Sequence, residues 1–319
     1  MTRVAVIGAG KWGRNLVRTF DRLGALACVV ENSQKIQEEI GTLFPGVPIF
    51  SSLETVWTSD IPAVVIATPV PTHFAIAKAA LLAGKDVFVE KPITMQVEEA
   101  EELFQIATRL KRVLMVGHLL LYQPAIRWME DYIKSGELGC IHSLHQRRAQ
   151  LGRVRQFENV LWSLGVHDIA VMLRLIGEAP KHMMVHGQRV LQQAIEDDVH
   201  LHMSFASGIS AHLHVSWLWP QQERKLVVIG KRGMLVYDET EQEVTLHRKG
   251  IRSDLSKHDD GAEVVFSGSD EPLKLEALHF LTCISERAVP LSDGANGVAV
   301  ISVLSQATEL LLKRGRDDE

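Results

Sequence analysis

The chain has 319 residues, 46% of them hydrophobic and 23% charged, with a formal net charge of −5 at pH 7. That length accommodates two domains, and the acidic balance argues against a general nucleic-acid or anionic-membrane surface. Three scattered cysteines, Cys28, Cys140 and Cys283, make no disulfide framework and fit a reducing, cytoplasmic setting; Gly8 interrupts any signal-peptide core, and no apolar run reads as long enough to span a bilayer.

Arg3–Ile7 is a short apolar strand, followed by Gly8-Ala9-Gly10-Lys11-Trp12-Gly13 and a helical pattern carrying Leu16, Val17 and Phe20. G-x-G-x-x-G between a strand and a helix is a dinucleotide fingerprint. The first glycine permits the tight turn, the second lets a pyrophosphate approach the backbone, and the third lets helix and strand pack closely. The helix N-terminus then offers N–H groups to the phosphates. The next strand, Leu26–Val30, ends at Glu31. A carboxylate there bonds the adenine ribose hydroxyls and repels a 2′-phosphate, so the expected cofactor is NAD rather than NADP.

Ser33–Phe44 reads as a helix, Pro48–Phe50 as a short strand and Ala63–Ala67 as a buried parallel strand. Its exit, Thr68-Pro69-Val70-Pro71-Thr72-His73, is stiffened by two prolines. Thr72 is expected to cap the helix Phe74–Ala83, and His73 reads either as a cofactor contact or as a surface group. Lys85–Val89 is the next strand and runs into Glu90-Lys91-Pro92. Open parallel sheets place their chemistry at such strand ends, and a lysine there can hold an alkoxide. Thr94 starts a helix whose Glu98, Glu99, Glu101 and Glu102 read as its solvated face. Val113–Val116 is a further strand, ending at Gly117-His118. Strict alternation of strands and helices predicts a doubly wound parallel sheet closing near residue 120.

Beyond it, the amphipathic helix Tyr122–Lys134 precedes strands at Ile141–Ala149, His182–Val190, Asp198–Phe205, Ile209–Trp217, Lys225–Ile229, Met234–Tyr237 and Val244–His247. Short turns between them predict an antiparallel sheet, with helices at Val166–Ile176, Leu273–Arg287 and Gly294–Lys313. The expected division is a dinucleotide-binding domain at 1–120 and an α+β domain at 121–319. Arg147, Arg148, Arg153 and Arg155 read either as a diphosphate clamp or as a solvated loop. His167, followed at once by Asp168, reads either as a general base or as half of a helix-capping pair. A turn at Ala206-Ser207-Gly208 pairs His202 with His212 and His200 with His214, all on the face opposite Val199, Leu201, Met203, Leu213 and Val215. Alternation along strands is not the tight cage zinc prefers. No metal is therefore expected, and the face reads as a polar surface that meets another subunit.

Together these motifs resemble the glucose–fructose oxidoreductase/inositol dehydrogenase (Gfo/Idh/MocA) family over nearly the whole length. The resemblance rests on the Gly8–Gly13 turn, the Thr68-Pro69 loop, Glu90-Lys91-Pro92, Gly117-His118 and His167. It implies an N-terminal Rossmann NAD(P) domain, a C-terminal open-faced antiparallel sheet used to form a homo-oligomer (dimer or tetramer), Lys91 near the reacting hydroxyl and His167 as acid/base. Many members carry an aspartate four residues before the histidine; here that residue is Ser163. Leu151 to Arg155, Glu158 to Ser163 and His167-Asp168 resemble the nucleotide-sugar branch. That branch implies a UDP-sugar substrate, UDP-N-acetylglucosamine oxidised at its 3-hydroxyl, and a downstream PLP-dependent aminotransferase making a 3-amino sugar for lipid A or related glycans. On this reading the cofactor contacts are Gly8, Gly10, Lys11, Trp12, Gly13, Glu31, Thr68, Pro69, His73, Glu90 and Lys91. The substrate contacts are Lys91, His118, Tyr122, Arg148, Arg153, Arg155, Asn159, Trp162 and His167. The rival readings are an inositol or free-pyranoside dehydrogenase and a non-catalytic NAD-binding regulator; a chain carrying both Lys91 and His167 fits the enzyme better.

Overall fold

The computed structural model describes residues 2–268 and 270–317. Elements alternate at first: β1 (Val4–Ile7), α1 (Gly13–Arg22), β2 (Leu26–Val30), α2 (Gln34–Leu43), β3 (Ile49–Phe50), α3 (Glu54–Trp57), β4 (Ala63–Ile66), α4 (His73–Leu82), β5 (Asp86–Glu90), α5 (Val97–Leu110) and β6 (Leu114–Gly117). Next come α6 (Pro124–Lys134), β7 (Ile141–Ala149) and α7 (Val166–Ile176). The strands β8 (His182–Gln188), β9 (Asp198–Ser204), β10 (Ser210–Ser216), β11 (Glu223–Gly230), β12 (Gly233–Asp238), β13 (Glu243–Ile251) and β14 (Lys257–Ser267) then follow one another, before α8 (Pro272–Glu286) and α9 (Gly294–Asp317).

The chain forms two compact units. The first comprises Met1–Leu119 with Glu271–Ile301, and the second Leu120–Asp270 with Ser302–Glu319. In the first, six strands in the order β3-β2-β1-β4-β5-β6 pair in parallel throughout, the strand order of a doubly wound dinucleotide-binding sheet. Val4, Val6, Val64, Val65, Val87, Phe88 and Val89 are wholly buried, as expected of parallel strands covered on both faces. Each such side chain contributes roughly 1.5–3 kcal/mol.

Residues 271–301, which follow the eight-stranded sheet's segments in the chain, fall in the first unit. Those residues return to the first unit because their partners are there. Phe280 packs edge-on against Phe88 with ring centroids 5.6 Å apart, Arg287 makes two bonds to Asp86 at 2.7 and 3.0 Å, and the Ser292 hydroxyl donates to the Val116 carbonyl at 2.6 Å.

The second unit carries an eight-stranded sheet, β14-β13-β12-β11-β7-β10-β9-β8. It is antiparallel except for the β7–β10 pair, which is parallel. Alternating residues, among them Val199, Leu201, Met203, Leu213, Val215, Leu226 and Val228, are buried on one face, while His145, Arg147, His200 and His202 lie on the other. β14 was not expected. Its segment, Lys257-His258-Asp259-Asp260-Gly261 onward, is charged and mostly exposed, so it carries no hydrophobic alternation and is a strand only through pairing with β13. One further expectation needs correction: Gly294–Lys313 within α9 is long and apolar enough to cross a bilayer by length and composition. Val300, Ile301, Val303, Leu304 and Ala307 are nevertheless buried within the protein.

Candidate active site

The three fingerprint glycines serve three different steric needs. Gly8 sits at φ +88°, and a Cβ there would lie 2.9 Å from the Ala67 carbonyl and from Thr68 Cγ2. A Cβ on Gly13 would lie 2.1 Å from the Gly8 carbonyl oxygen, so this position is closed to any larger residue. Around Gly10 a Cβ would meet nothing within 4 Å, which leaves open the approach a pyrophosphate needs. Glu31, at the end of β2, accepts hydrogen bonds from the Ala9 N–H at 2.8 Å and the Ser33 N–H at 3.0 Å. Beyond these residues lies a cavity of about 580 Å³ bordered by Gly8, Gly10, Glu31, Ser33, Thr68 and Pro69. It opens at the ends of β1, β2 and β4, where the strand order reverses and such sheets bind their ligands. A backbone turn, an acid at the end of β2 bordering the cavity and a cavity of ligand size fit a dinucleotide. Asn32, Ile36, Ser51 and Leu53, which also line the cavity, went unread because they stand in no motif.

Trp12 and Lys11 are exposed, and Trp12 Nε1 donates to Glu90 Oε1 at 2.6 Å, joining the glycine turn to the Glu90-Lys91-Pro92 turn. His73 is corrected. It is buried, with Nδ1 2.9 Å from the Pro92 carbonyl and Nε2 2.9 Å from the Thr68 carbonyl. Its ring lies between two loop carbonyls, and as a neutral imidazole it donates to one of them. Thr72 likewise does not cap α4; its hydroxyl turns back to Thr68 Oγ1 and the Pro69 carbonyl, each at 2.7 Å.

Lys91 is half-buried and precedes a cis Pro92. Its neighbours are unusual. Burial pushes the Glu90 carboxyl up to about 7 against the opposing pull of Trp12 and Lys91. His118 is buried with neither ring nitrogen hydrogen-bonded, and burial followed by the Lys91 charge pushes it down to about 3. It is therefore a neutral imidazole at neutral pH, with an orphaned polar edge that a ligand would satisfy. Glu276 on α8, wholly buried with both carboxyl oxygens without a hydrogen-bond partner, is driven well above its ordinary value by burial and by Glu90. Sequence reasoning missed it, although an acid inside an otherwise apolar helical stripe was a usable signal.

In the second unit, a π-helical turn at Leu161–Gly165 runs directly into α7 and sets His167, half-buried, on its first turn. Such turns recur at functional sites. The arginine cluster separates. Arg148 is buried: its Nε donates to both oxygens of Asp168 at 3.0 and 2.9 Å, and its terminal nitrogens reach Glu239 at 3.2 and 2.6 Å. It is corrected from substrate contact to structural ion pair, and Asp168 is its anchor rather than a cap partner of His167. Arg147, on the opposite face of β7, pairs with Glu223 at 2.9 Å. Asn159 is buried, donating to Glu196 at 3.0 Å and accepting from the Trp162 N–H at 3.2 Å. Trp162 is buried, with Nε1 donating to Thr308 at 2.9 Å. Both are corrected to internal packing roles, and Tyr122, 3% exposed, is a core residue. Arg153 and Arg155 remain exposed, Arg155 beside Glu158 at 3.5 Å.

Residues 2–118 match the model described as "Oxidoreductase family, NAD-binding Rossmann fold", and residues 126–236 match the GFO/IDH/MocA C-terminal domain. UDP-N-acetylglucosamine 3-dehydrogenase of Acidithiobacillus ferrooxidans is 26% identical over 98% of this chain and 99% of its own length. Its solved structure matches with a TM-score of 0.85 over 97% of each chain. Inositol 2-dehydrogenase of Rhodococcus erythropolis is 32% identical over 55% of this chain and 53% of its own length. A levoglucosan dehydrogenase solved with NADH and L-sorbose shares the fold, with a TM-score of 0.87 at 19% identity over 98% of this chain and 97% of that one. The protein therefore belongs to the Gfo/Idh/MocA oxidoreductase family, with that family's NAD-binding Rossmann domain at residues 2–118 and its C-terminal domain at 126–236.

Proposed function

We propose that this NAD-dependent oxidoreductase oxidises a secondary hydroxyl of a UDP-sugar, the 3-hydroxyl of UDP-N-acetylglucosamine. The observation that carries the reading is the similarity, over nearly the full length of both chains, to a UDP-N-acetylglucosamine 3-dehydrogenase. NAD held by the Gly8–Gly13 turn and Glu31 supplies the hydride acceptor. His167 takes the hydroxyl proton, and the Lys91 ammonium holds the charge that develops on the oxygen. His118, neutral and unsatisfied beside Lys91, accepts a hydrogen bond from the sugar. With Arg148 committed to Asp168 and Glu239, the diphosphate falls to the exposed Arg153 and Arg155. We further assign the protein to a cytosolic homo-oligomer whose 3-keto product feeds a PLP-dependent aminotransferase.

The test is NAD reduction measured against UDP-N-acetylglucosamine, other UDP-sugars, free pyranosides and inositol, with an aminotransferase trapping the keto product. Charge-assisted bonds to phosphate are worth roughly 1.5–3 kcal/mol, so Arg153→Ala is expected to raise KM for the UDP-sugar by roughly ten- to a hundredfold without changing NAD affinity. Faster turnover of free sugars or inositol than of UDP-sugars, or amine trapped at C4, refutes it.

A further inference from the structure

The open face of the second unit's sheet holds a cluster that the reaction above does not use. β9 and β10 pair with His200 opposite His214, His202 opposite His212 and Asp198 opposite Ser216. β8 adds His186 opposite His200, and β7 adds His145 opposite His212. Directly paired residues on one face lie within reach of each other across strands, so histidines run across the sheet in two adjacent rows. In the first row the His200 and His214 rings stack with centroids 4.0 Å apart and planes 5° from parallel. Asp198, two residues before His200 and so on the same face, closes the group. Its Oδ2 is 3.0 Å from His214 Nε2 and its Oδ1 is 3.7 Å from His200 Nε2. One donor atom from each of the three side chains lies within 4.8 Å of the other two.

Zinc bound tetrahedrally by nitrogen and oxygen at roughly 2.0–2.1 Å separates its ligands by roughly 3.3–3.4 Å. The two carboxylate–imidazole separations, one from each Asp198 oxygen, lie on either side of that value. His214 is the fixed member, 8% exposed and packed edge-on to Trp219 at 5.3 Å. His200 is exposed, so its ring has room to turn out of the stack toward the other two donors. The nearest cation in the row, Arg147, is neutralised by Glu223 at 2.9 Å. A cavity of about 350 Å³ in front of the cluster leaves room for a fourth ligand.

We propose that Asp198, His200 and His214 form a site for a divalent transition metal of the zinc type, with the fourth position open to this cavity. The expectation of no metal came from strand alternation alone, which did not take Asp198 as a third donor. The experiment uses the untagged full-length chain, stripped with chelator and titrated with Zn²⁺ by calorimetry and by competition with a chromophoric chelator. One Zn²⁺ per chain is expected. Loss of an outer-shell partner costs roughly 10- to 100-fold in metal affinity, so His200→Ala and Asp198→Asn, each removing a ligand, are each expected to weaken binding by at least tenfold. Both sites are on the surface side of the sheet, and unchanged circular dichroism and NAD binding show that the variants fold. His182→Ala, outside the two rows, is expected to bind as wild type does. Absence of a stoichiometric Zn²⁺, affinity unchanged in both ligand variants, or a site lost in His202→Ala or His212→Ala but kept in His200→Ala overturns the proposal.

Discussion

Replacing Asp168 by alanine separates two roles that the His167-Asp168 pair allowed. The Asp168 side chain is 1% exposed and receives Arg148 Nε on both oxygens and Gln146 Nε2 at 2.9 Å. Burial works to raise its carboxyl and the Arg148 guanidinium works against this. Removing the carboxylate leaves a guanidinium with 8% side-chain exposure short of one of its two counter-charges. Breaking a buried pair in this way costs about 3–5 kcal/mol. Glu239 still holds the terminal nitrogens, which puts the expected loss at the low end, about 3 kcal/mol. For a unit of this size that is roughly 6–12 °C in melting temperature. Thermal and urea denaturation followed by circular dichroism read it directly, alongside kcat. Pairing Asp168→Leu with Arg148→Met removes the unmatched charge, leaves Arg224 on Glu239 at 3.1 Å, and is expected to recover most of the loss. A destabilisation below about 1 kcal/mol, with kcat alone falling, would refute the structural role and return Asp168 to His167.

Glu31→Ala is expected to narrow the preference for NAD over NADP by about tenfold or more, since about 1.4 kcal/mol of charge repulsion corresponds to a factor of ten; a fluorescence titration showing an unchanged ratio sinks the argument. Lys91→Met and His167→Ala are expected to bind NAD normally and to lose roughly 100- to 10,000-fold in kcat, and near-wild-type turnover in either removes that residue from the chemistry. Glu90 carries a pH signature. Its carboxyl, raised from 4.5 to about 7 by burial, holds a proton in the folded state that the unfolded chain has released. Its contribution is fully present below about pH 4.5 and is lost as pH rises through 7, a swing of roughly 3 kcal/mol. Glu90→Gln should flatten that part of the stability curve, and an unaltered curve would show that Glu90 is already ionised.

The glycine turn and the strand register were legible because their causes are local. A glycine at positive φ, a glycine against a carbonyl and a glycine facing open space are demands of the turn itself, and Gly8, Gly13 and Gly10 meet them within six residues. The His202–His212 and His200–His214 pairings follow from a short turn and a period of two, and the observed register agrees. The α5 acids at positions 98 and 99 fall in the helix's first turn, where the dipole favours negative charge.

What the linear chain leaves open is which distant group claims a polar side chain. Arg147 and Arg148 are neighbours in sequence, yet the pleat sends them to opposite faces. One meets Glu223 on the open face, and the other is taken by Asp168 and Glu239, 20 and 91 residues away. Asn159, Trp162 and His73 looked available for a ligand until Glu196, Thr308 and two loop carbonyls were found on them. The same holds for β14, which has no pattern of its own and exists through β13, and for 271–301, which rejoins the first unit through Phe88, Asp86 and Val116. Periodicity and steric rules act over a few residues, so the sequence by itself determined the Rossmann turn and the strand pairing of the histidines. A buried charge or amide must be satisfied by whatever the fold places beside it, and only the tertiary structure decided those partners.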